Sequence, residues 1–256
     1  MDLGIAGRVA LVAGASSGLG RAVATALAAE GCALSICARD AGRLAETADT
    51  LLRAGAAKVR YQTVDVTDED AVAGWVRDTA SQWGGVHIVV SNGGGPPPGR
   101  VDDFDLDAYR VAAETTLLPH IGLTLAALPH LRASGWGRVL LVASETARQP
   151  IPRYGLSSTV RPALLGFARS MAHSLGPGDI TINVLAPGYH DTGGLRRQFG
   201  DDADARLAEI AAGIPVGRVG QPADFGAVAA FLASRAASFI TGTCLLVDGG
   251  ATRGIG

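Results

Sequence analysis

The chain has 256 residues, 48% of them hydrophobic, and its 22 basic and 24 acidic side chains leave a formal charge of -2. That is enough apolar chain for one large core, and the dispersed Lys and Arg form no basic stripe, which argues against nucleic acid or an anionic membrane as partner and leaves a small-molecule substrate. No run approaches the ~20 uninterrupted apolar residues of a membrane span.

Met1-Asp2-Leu3-Gly4 has neither a cationic lead nor an apolar leader segment, so the expected compartment is the cytoplasm. Cys32, Cys37 and Cys244 are odd in number and lie in apolar runs, which fits free buried thiols better than a disulfide framework. His87, His120, His130, His173 and His190 show no paired spacing with a carboxylate, so no metal site is expected.

From the N-terminus, short aliphatic runs alternate with Ala-rich segments: RVALVAG, ALSICAR, VRYQTVDV, GVHIVVSN, GRVLLVAS, ITINVLAPG and CLLVDGG. This alternation predicts right-handed βαβ crossovers and a parallel sheet covered on both faces, that is, a doubly wound, three-layer α/β/α arrangement in a single domain over residues 1–256. Ligands of such sheets lie beyond the carboxyl ends of the strands, so the residues just after each run matter most.

After the first run comes Gly14-Ala15-Ser16-Ser17-Gly18-Leu19-Gly20, opening a helix expected to reach about Glu30. Gly14 lets the chain turn, Gly18 lets the backbone approach a pyrophosphate, and Gly20 lets helix and strand pack, while free N–H groups at the helix start bind the anion. The second run ends at Ala38-Arg39, the third at Asp65-Val66, and the fourth at Asn92-Gly93-Gly94, followed by a stiff GGGPPPG exit. His87, at the start of the fourth run, reads as a packing residue. The fifth run closes on Ser144, an apolar helix is expected from Ser157 to about Leu175, and the sixth run ends at Pro187-Gly188. The stretch from Gly188 to about Asp202 is long and polar enough for a mobile loop, the core of an expected lid over 188–212.

The G-x-x-x-G-x-G spacing, Asp65-Val66, Asn92-Gly93-Gly94, Asn183 with Pro187-Gly188 and Thr192, Ile240-Thr241-Gly242 and Val247-Asp248-Gly249-Gly250 together resemble the short-chain dehydrogenase/reductase family. The resemblance runs in the family's order from about Gly7 to Gly250 and is nearest to the β-ketoacyl-carrier-protein reductase branch. It implies a Rossmann fold with Gly14, Ser16, Ser17, Gly18, Leu19 and Gly20 around the pyrophosphate. Asp65 and Val66 would then lie at the adenine, Asn92, Gly93 and Asn183 in the cofactor cleft, and Pro187, Gly188 and Thr192 at the nicotinamide end. After the second strand an acid would hold the adenosine ribose, but here Ala38 is followed by Arg39, whose fork suits a 2′-phosphate, so NADP(H) is favoured over NAD(H).

Active members of that family resemble one another in an Asn on the central helix, a Ser after the fifth strand, a Tyr thirteen residues on and a Lys four beyond it. Counting from Ser144 puts Ser157 in the Tyr place and Arg161 in the Lys place, while Thr116 falls where the Asn would lie. Tyr154 is three residues early, and Leu165 to Ser170 match the helix continuation without a gap, which holds the register. A phenol titrates near ~10, whereas a Ser hydroxyl is too weak an acid to act alone and Arg stays charged to above ~12. Losing one general acid costs about 10²- to 10⁴-fold in rate.

Arg161 could still hold the ribose hydroxyls and favour a developing alkoxide, with Ser144 and Ser157 facing each other as donors around the substrate oxygen. Replacement acids are Tyr189 and His190, directly after Pro187-Gly188, and beyond them Tyr154 and Glu145. The reading that follows is an NADP(H)-dependent reductase of a carbonyl or an iminium with a non-standard proton donor. The alternatives are a non-catalytic dinucleotide-binding protein and a non-redox isomerase, lyase or cyclase. The helix from Ser157 and the C-terminal strand resemble surfaces on which the family builds dimers and tetramers, so a homo-oligomer is expected.

Overall fold

The computed structural model describes residues 2–254, and in it the expected alternation is present from end to end. In chain order the elements of the first half are β1 (Val9–Ala13), α1 (Gly18–Ala29), β2 (Ala33–Ala38), α2 (Ala41–Arg53), β3 (Lys58–Thr63), α3 (Glu69–Trp83) and β4 (Ile88–Ser91). The second half has α4 (Leu106–Thr116), α5 (Leu118–Ser134), β5 (Trp136–Val142), α6 (Gly155–Val160), α7 (Ala163–Ser174), β6 (Asp179–Pro187), α8 (Gly193–Phe199), α9 (Ala203–Ala212), α10 (Pro222–Leu232) and β7 (Cys244–Val247). Local chemistry fixes where helices begin: Asp40, Asp68 and Asp105 accept from the backbone N–H of Arg43, Ala71 and Ala108 at 3.0, 3.0 and 2.9 Å.

The seven strands form one parallel sheet in the order β3-β2-β1-β4-β5-β6-β7. The order reverses between β1 and β4, and the crevice this opens at the carboxyl ends is where an α/β sheet binds its ligand. Each face of the sheet has its own core. On one side α1 and α10 cover Val12, Leu34, Ile36 and Leu140. On the other α3 and α5 cover Leu11, Val89 and Leu141, with Trp75 fully buried and donating to Ser35 Oγ at 2.8 Å. Cys32 and Cys37 are free and buried, Cys244 is free and half-buried, and His87 takes a backbone hydrogen bond from Val9 N at 3.1 Å as a packing residue.

Three expectations are corrected. The helix expected from Ser157 to about Leu175 is two helices, broken at Arg161-Pro162, because proline offers no N–H and its ring crowds the carbonyl four residues back. The stretch after Gly188 is chiefly helical, with Thr192 capping α8 by accepting from Leu195 N at 3.1 Å and a small core of Leu207, Ile214 and Val219 beneath it. Asn183 is fully buried and ties β6 to the approach of β7, donating to Ile240 O at 2.8 Å and accepting from Thr243 N at 3.2 Å, and so does not reach the cleft. Residues 106–134 are together long and apolar enough to cross a membrane by length and composition. They are broken at Leu117; α5 packs on β4 and β5 as a core helix does, and α4 packs on α5 and α6.

Candidate active site

A cleft of about 1390 Å³ opens at the switch point beyond β1 and β4. Its floor is the glycine turn, with Gly14, Ser16, Ser17, Gly18 and Leu19 on the wall. Gly14 has a φ of 62°, a conformation that side chains with a Cβ rarely adopt. Gly20 stands behind the wall: a Cβ there would lie 2.2 Å from Gly14 O and 2.6 Å from Asn92 Nδ2. Asn92 donates to the carbonyls of Ala13 and Gly14 at 3.3 Å each, which clips the end of β4 to the turn. Across the cleft, Thr192 Cγ2 comes within 3.7 Å of where a Gly18 Cβ would be, so the segment after β6 roofs the start of α1.

One end of the cleft is lined by Arg39, Arg43, Asp65 and Val66. Asp65 accepts from the Thr67 backbone N–H at 3.0 Å and from its hydroxyl at 2.8 Å, and these bonds hold its carboxyl below the usual range. Asp40 lines this end too: it caps α2 and pairs with Arg43 at 3.4 Å, while Arg39 follows Ala38 where the strand ends. The other end is lined by Gly93, Gly94, Leu156, Gly188, Tyr189 and His190.

Behind that second end lies the predicted catalytic set. Ser144 accepts from Thr146 N at 3.2 Å and opens a short 3-10 turn, Glu145–Ala147. The Ser157 hydroxyl is buried and sits 2.8 Å from that of Thr146. The expected facing pair of Ser144 and Ser157 is therefore replaced by Ser157 with Thr146, because the 3-10 turn brings Thr146 between them. Thr116 is buried at the last residue of α4, beside the break at Leu117.

Arg161 is 6% exposed, and its guanidinium donates to Val142 O at 3.3 Å and Gly94 O at 3.2 Å, leaving Nε without a partner. Burial lowers its pKa to about 10, which still leaves it charged at neutral pH. His120, fully enclosed beside it, is held neutral: burial and the Arg161 charge push its pKa down to about 3, against a hydrogen bond to Ser91. His190 is also turned to structure. Its Nδ1 lies 3.0 Å from Gly188 O, its ring meets Phe225 edge-on at 5.7 Å, and burial lowers its pKa. Tyr189 remains at the cleft, with its hydroxyl 3.4 Å from that of Tyr154.

Residues 14–252 match the family model described as enoyl-(acyl carrier protein) reductase. The chain is a short-chain dehydrogenase/reductase. It is 36% identical to the cis-4-hydroxycyclohexanecarboxylate dehydrogenase of Sinomonas cyclohexanicum over 98% of this chain and 99% of that protein. It is 30% identical to the 3-oxoacyl-[acyl-carrier-protein] reductase FabG of Salmonella typhimurium over 95% and 97%. Among solved structures, the NADPH-dependent reductase YwfH, involved in bacilysin biosynthesis, superposes with a TM-score of 0.92 at 28% identity, covering 98% of this chain and all of that one. L-sorbose reductase from Gluconobacter frateurii, complexed with NADPH and L-sorbose, also gives 0.92 at 28% identity with full coverage of both. The protein is thus an oxidoreductase of the ketoreductase kind.

Within this short-chain dehydrogenase/reductase, the structure gathers Gly14, Ser16, Ser17, Gly18, Leu19, Arg39, Asp65, Val66, Asn92 and Gly93 with Gly188 and Thr192 around one cleft. The buried Pro187 closes β6 beneath it. The residues fit a dinucleotide: a tight glycine turn whose packing leaves no room for a Cβ at Gly20, free N–H groups at the start of a 12-residue helix, and Arg39 at the far end. Sequence reasoning missed Arg43, which stands one helical turn beyond Arg39, and Arg197 on α8, which lines the same cleft. The signal for Arg43 was its place in the first turn of the helix that follows Arg39. Arg197 carried none, because its place follows from how α8 folds over the cleft.

Proposed function

We propose that this protein is an NADP(H)-dependent reductase acting on a carbonyl or iminium group, with NAD(H) as the poorer cofactor and with a proton donor other than the family's tyrosine. The observation that carries the cofactor assignment is Arg39 at one end of the cleft, beside the Arg43–Asp40 ion pair, with Ala38 where an acid would repel a 2′-phosphate. The NADPH named for L-sorbose reductase and YwfH supports it. When bound, the reduced nicotinamide supplies the hydride. Around it Gly14 to Gly20 take the pyrophosphate on backbone N–H groups, Arg161 presents a fixed positive charge behind Gly94, and Leu156 and Tyr189 exclude water from the substrate end.

The relatives suggest a hydroxylated alicyclic or acyl substrate, so 4-oxocyclohexanecarboxylate and a 3-oxoacyl thioester are the first compounds to try. Fluorescence titration should give tighter binding of NADPH than of NADH, and Arg39→Asp should erase that preference by roughly 10- to 100-fold, the worth of one charge-assisted contact. NADPH bound tightly yet left unoxidised by ketones, thioesters and cyclic imines would instead support the non-redox readings. We further infer a homo-oligomer, because Val111, Leu118 and Leu125 lie exposed along α4 and α5. Light scattering at micromolar concentration tests it.

A further inference from the structure

We propose that Glu145 is the proton source of this site and acts through the paired phenols of Tyr189 and Tyr154, an inference that rests on the reductase reading above. The hydroxyls of Ser144, Thr146, Ser157 and Thr116 are too weakly acidic to serve, Arg161 stays charged, and His120 is enclosed and neutral. His190, at the same end, has its ring committed to Gly188 O and Phe225, which leaves two phenols and one carboxyl as candidates.

Their geometry brings them to one corner. Tyr154 is fixed by a backbone clasp, in which Gly99 N donates to Arg153 O at 2.7 Å and Gly155 N donates to Gly99 O at 2.9 Å. Its hydroxyl meets that of Tyr189, which lines the cleft. Glu145 directly follows Ser144 and is only 8% exposed, and its Oε2 lies 3.2 Å from where a Cβ of Gly188 would be. Gly188 precedes Tyr189, so the carboxyl sits beneath the backbone corner from which the cleft phenol projects.

The charges around Glu145 come from several elements. Asp248, at the end of β7, accepts from Gly250 N at 2.9 Å and Thr252 N at 2.8 Å; burial pushes its carboxyl up, but these donors outweigh that and keep it ionised. From α6, Arg161 is turned to the carbonyls of Val142 and Gly94, and Arg148 closes the 3-10 turn that Glu145 opens. After β6, the His190 ring is taken by Gly188 O and Phe225. Burial, with the Asp248 charge added, raises Glu145 to about 7, so it holds a proton that it can release near neutral pH.

Tyr189 is the opposite case. Burial, Tyr154 and then Glu145 all push its phenol above the ordinary range, so it cannot give up a proton and remain a phenolate. A concerted relay removes the conflict. The substrate carbon gains a C–H bond from the hydride and electron pair of reduced nicotinamide, which is oxidised. The carbonyl π pair moves to oxygen, which takes the Tyr189 proton as the Glu145 O–H breaks and its proton passes over a bridging water to the Tyr189 oxygen. The Glu145 carboxylate regains a proton from water.

Single-turnover NADPH oxidation with 4-oxocyclohexanecarboxylate, from pH 5.5 to 9, tests this in the wild type, E145Q, Y189F and Y154F. The wild-type rate should fall above about pH 7, and E145Q should be slower by about 10²-fold without that limb, while its NADPH titration stays as in the wild type. Y189F should be as slow as E145Q, Y154F should lose less, and E145D should restore part of the rate together with the limb. A wild-type rate and limb in E145Q overturn the proposal alone. A wild type that leaves NADPH unoxidised overturns the reductase reading, and this proposal with it.

Thermal melting gives a readout free of substrate. A carboxyl whose folded pKa of about 7 exceeds its ordinary 4.5 loses stability as pH rises through that interval, so the wild type should weaken relative to E145Q from pH 4.5 to 7. Parallel melting curves would overturn the proposal whatever the kinetics show.

Discussion

At one end of the cleft the backbone of Gly14 to Gly20 meets the side chain of Asn92 with no room for a Cβ at Gly20, whereas at the other end Ser157, Thr146 and Arg161 are held by partners on three separate elements. The first end is made from one short stretch of chain and its own N–H groups. The second depends on where β4, β5 and α6 deliver their ends. A dinucleotide, an extended polyanion, needs backbone donors in sequence, which a single turn can supply. A proton must pass among side chains at hydrogen-bond distance, and only the assembled fold sets those distances.

That contrast can be broken first at the turn. Gly20→Val would drive a side chain into Gly14 O, and overpacking of this kind should cost upward of ~3 kcal/mol and abolish NADPH binding in a fluorescence titration. Survival of binding would mean the turn is softer than its contacts imply. Next in size is Arg161→Ala, which leaves the carbonyls of Val142 and Gly94 without their donor; chemical denaturation should register a loss of about 2–3 kcal/mol. Arg161→Lys should recover part of it, since one ammonium can reach one of the two carbonyls. The smallest effect is acid sensitivity. His120 is depressed to about 3, so the unfolded chain takes up a proton below about 6.5 that the folded chain refuses, and stability should fall by about 2 kcal/mol between pH 7 and pH 5. His120→Gln should flatten that limb in thermal melts.

Much of the first end was legible in the chain itself. Gly14 and Gly20 announce a turn because no other residue fits their close approach, and Arg39 after Ala38 is the feature from which the cofactor proposal starts. The seven strands were readable as aliphatic runs, since a sheet buried on both faces needs no polar alternation. The second end was readable only as positions counted onward from Ser144. Counting put Ser157 and Arg161 in the family's tyrosine and lysine places; Ser157 lies on α6 and Arg161 just past its end, but Ser157 bonds to Thr146, two residues along the 3-10 turn from Ser144, and no spacing rule predicts that. His190, two residues from Pro-Gly in the sequence, looked like a free imidazole, and Phe225 from α10 and the Gly188 carbonyl take it up.

The sequence alone determined the order of strands and helices and the glycine turn after β1, because each is a matter of local conformation or of which atoms a side chain contains. The tertiary structure decided which hydroxyls pair, that Arg161 is turned to the carbonyls of Val142 and Gly94, and that Glu145 is buried against Asp248 under the Gly188 corner. These are distances between β5, β6 and β7. A proton's affinity depends on burial and neighbouring charge, and those quantities exist only once the strands are side by side.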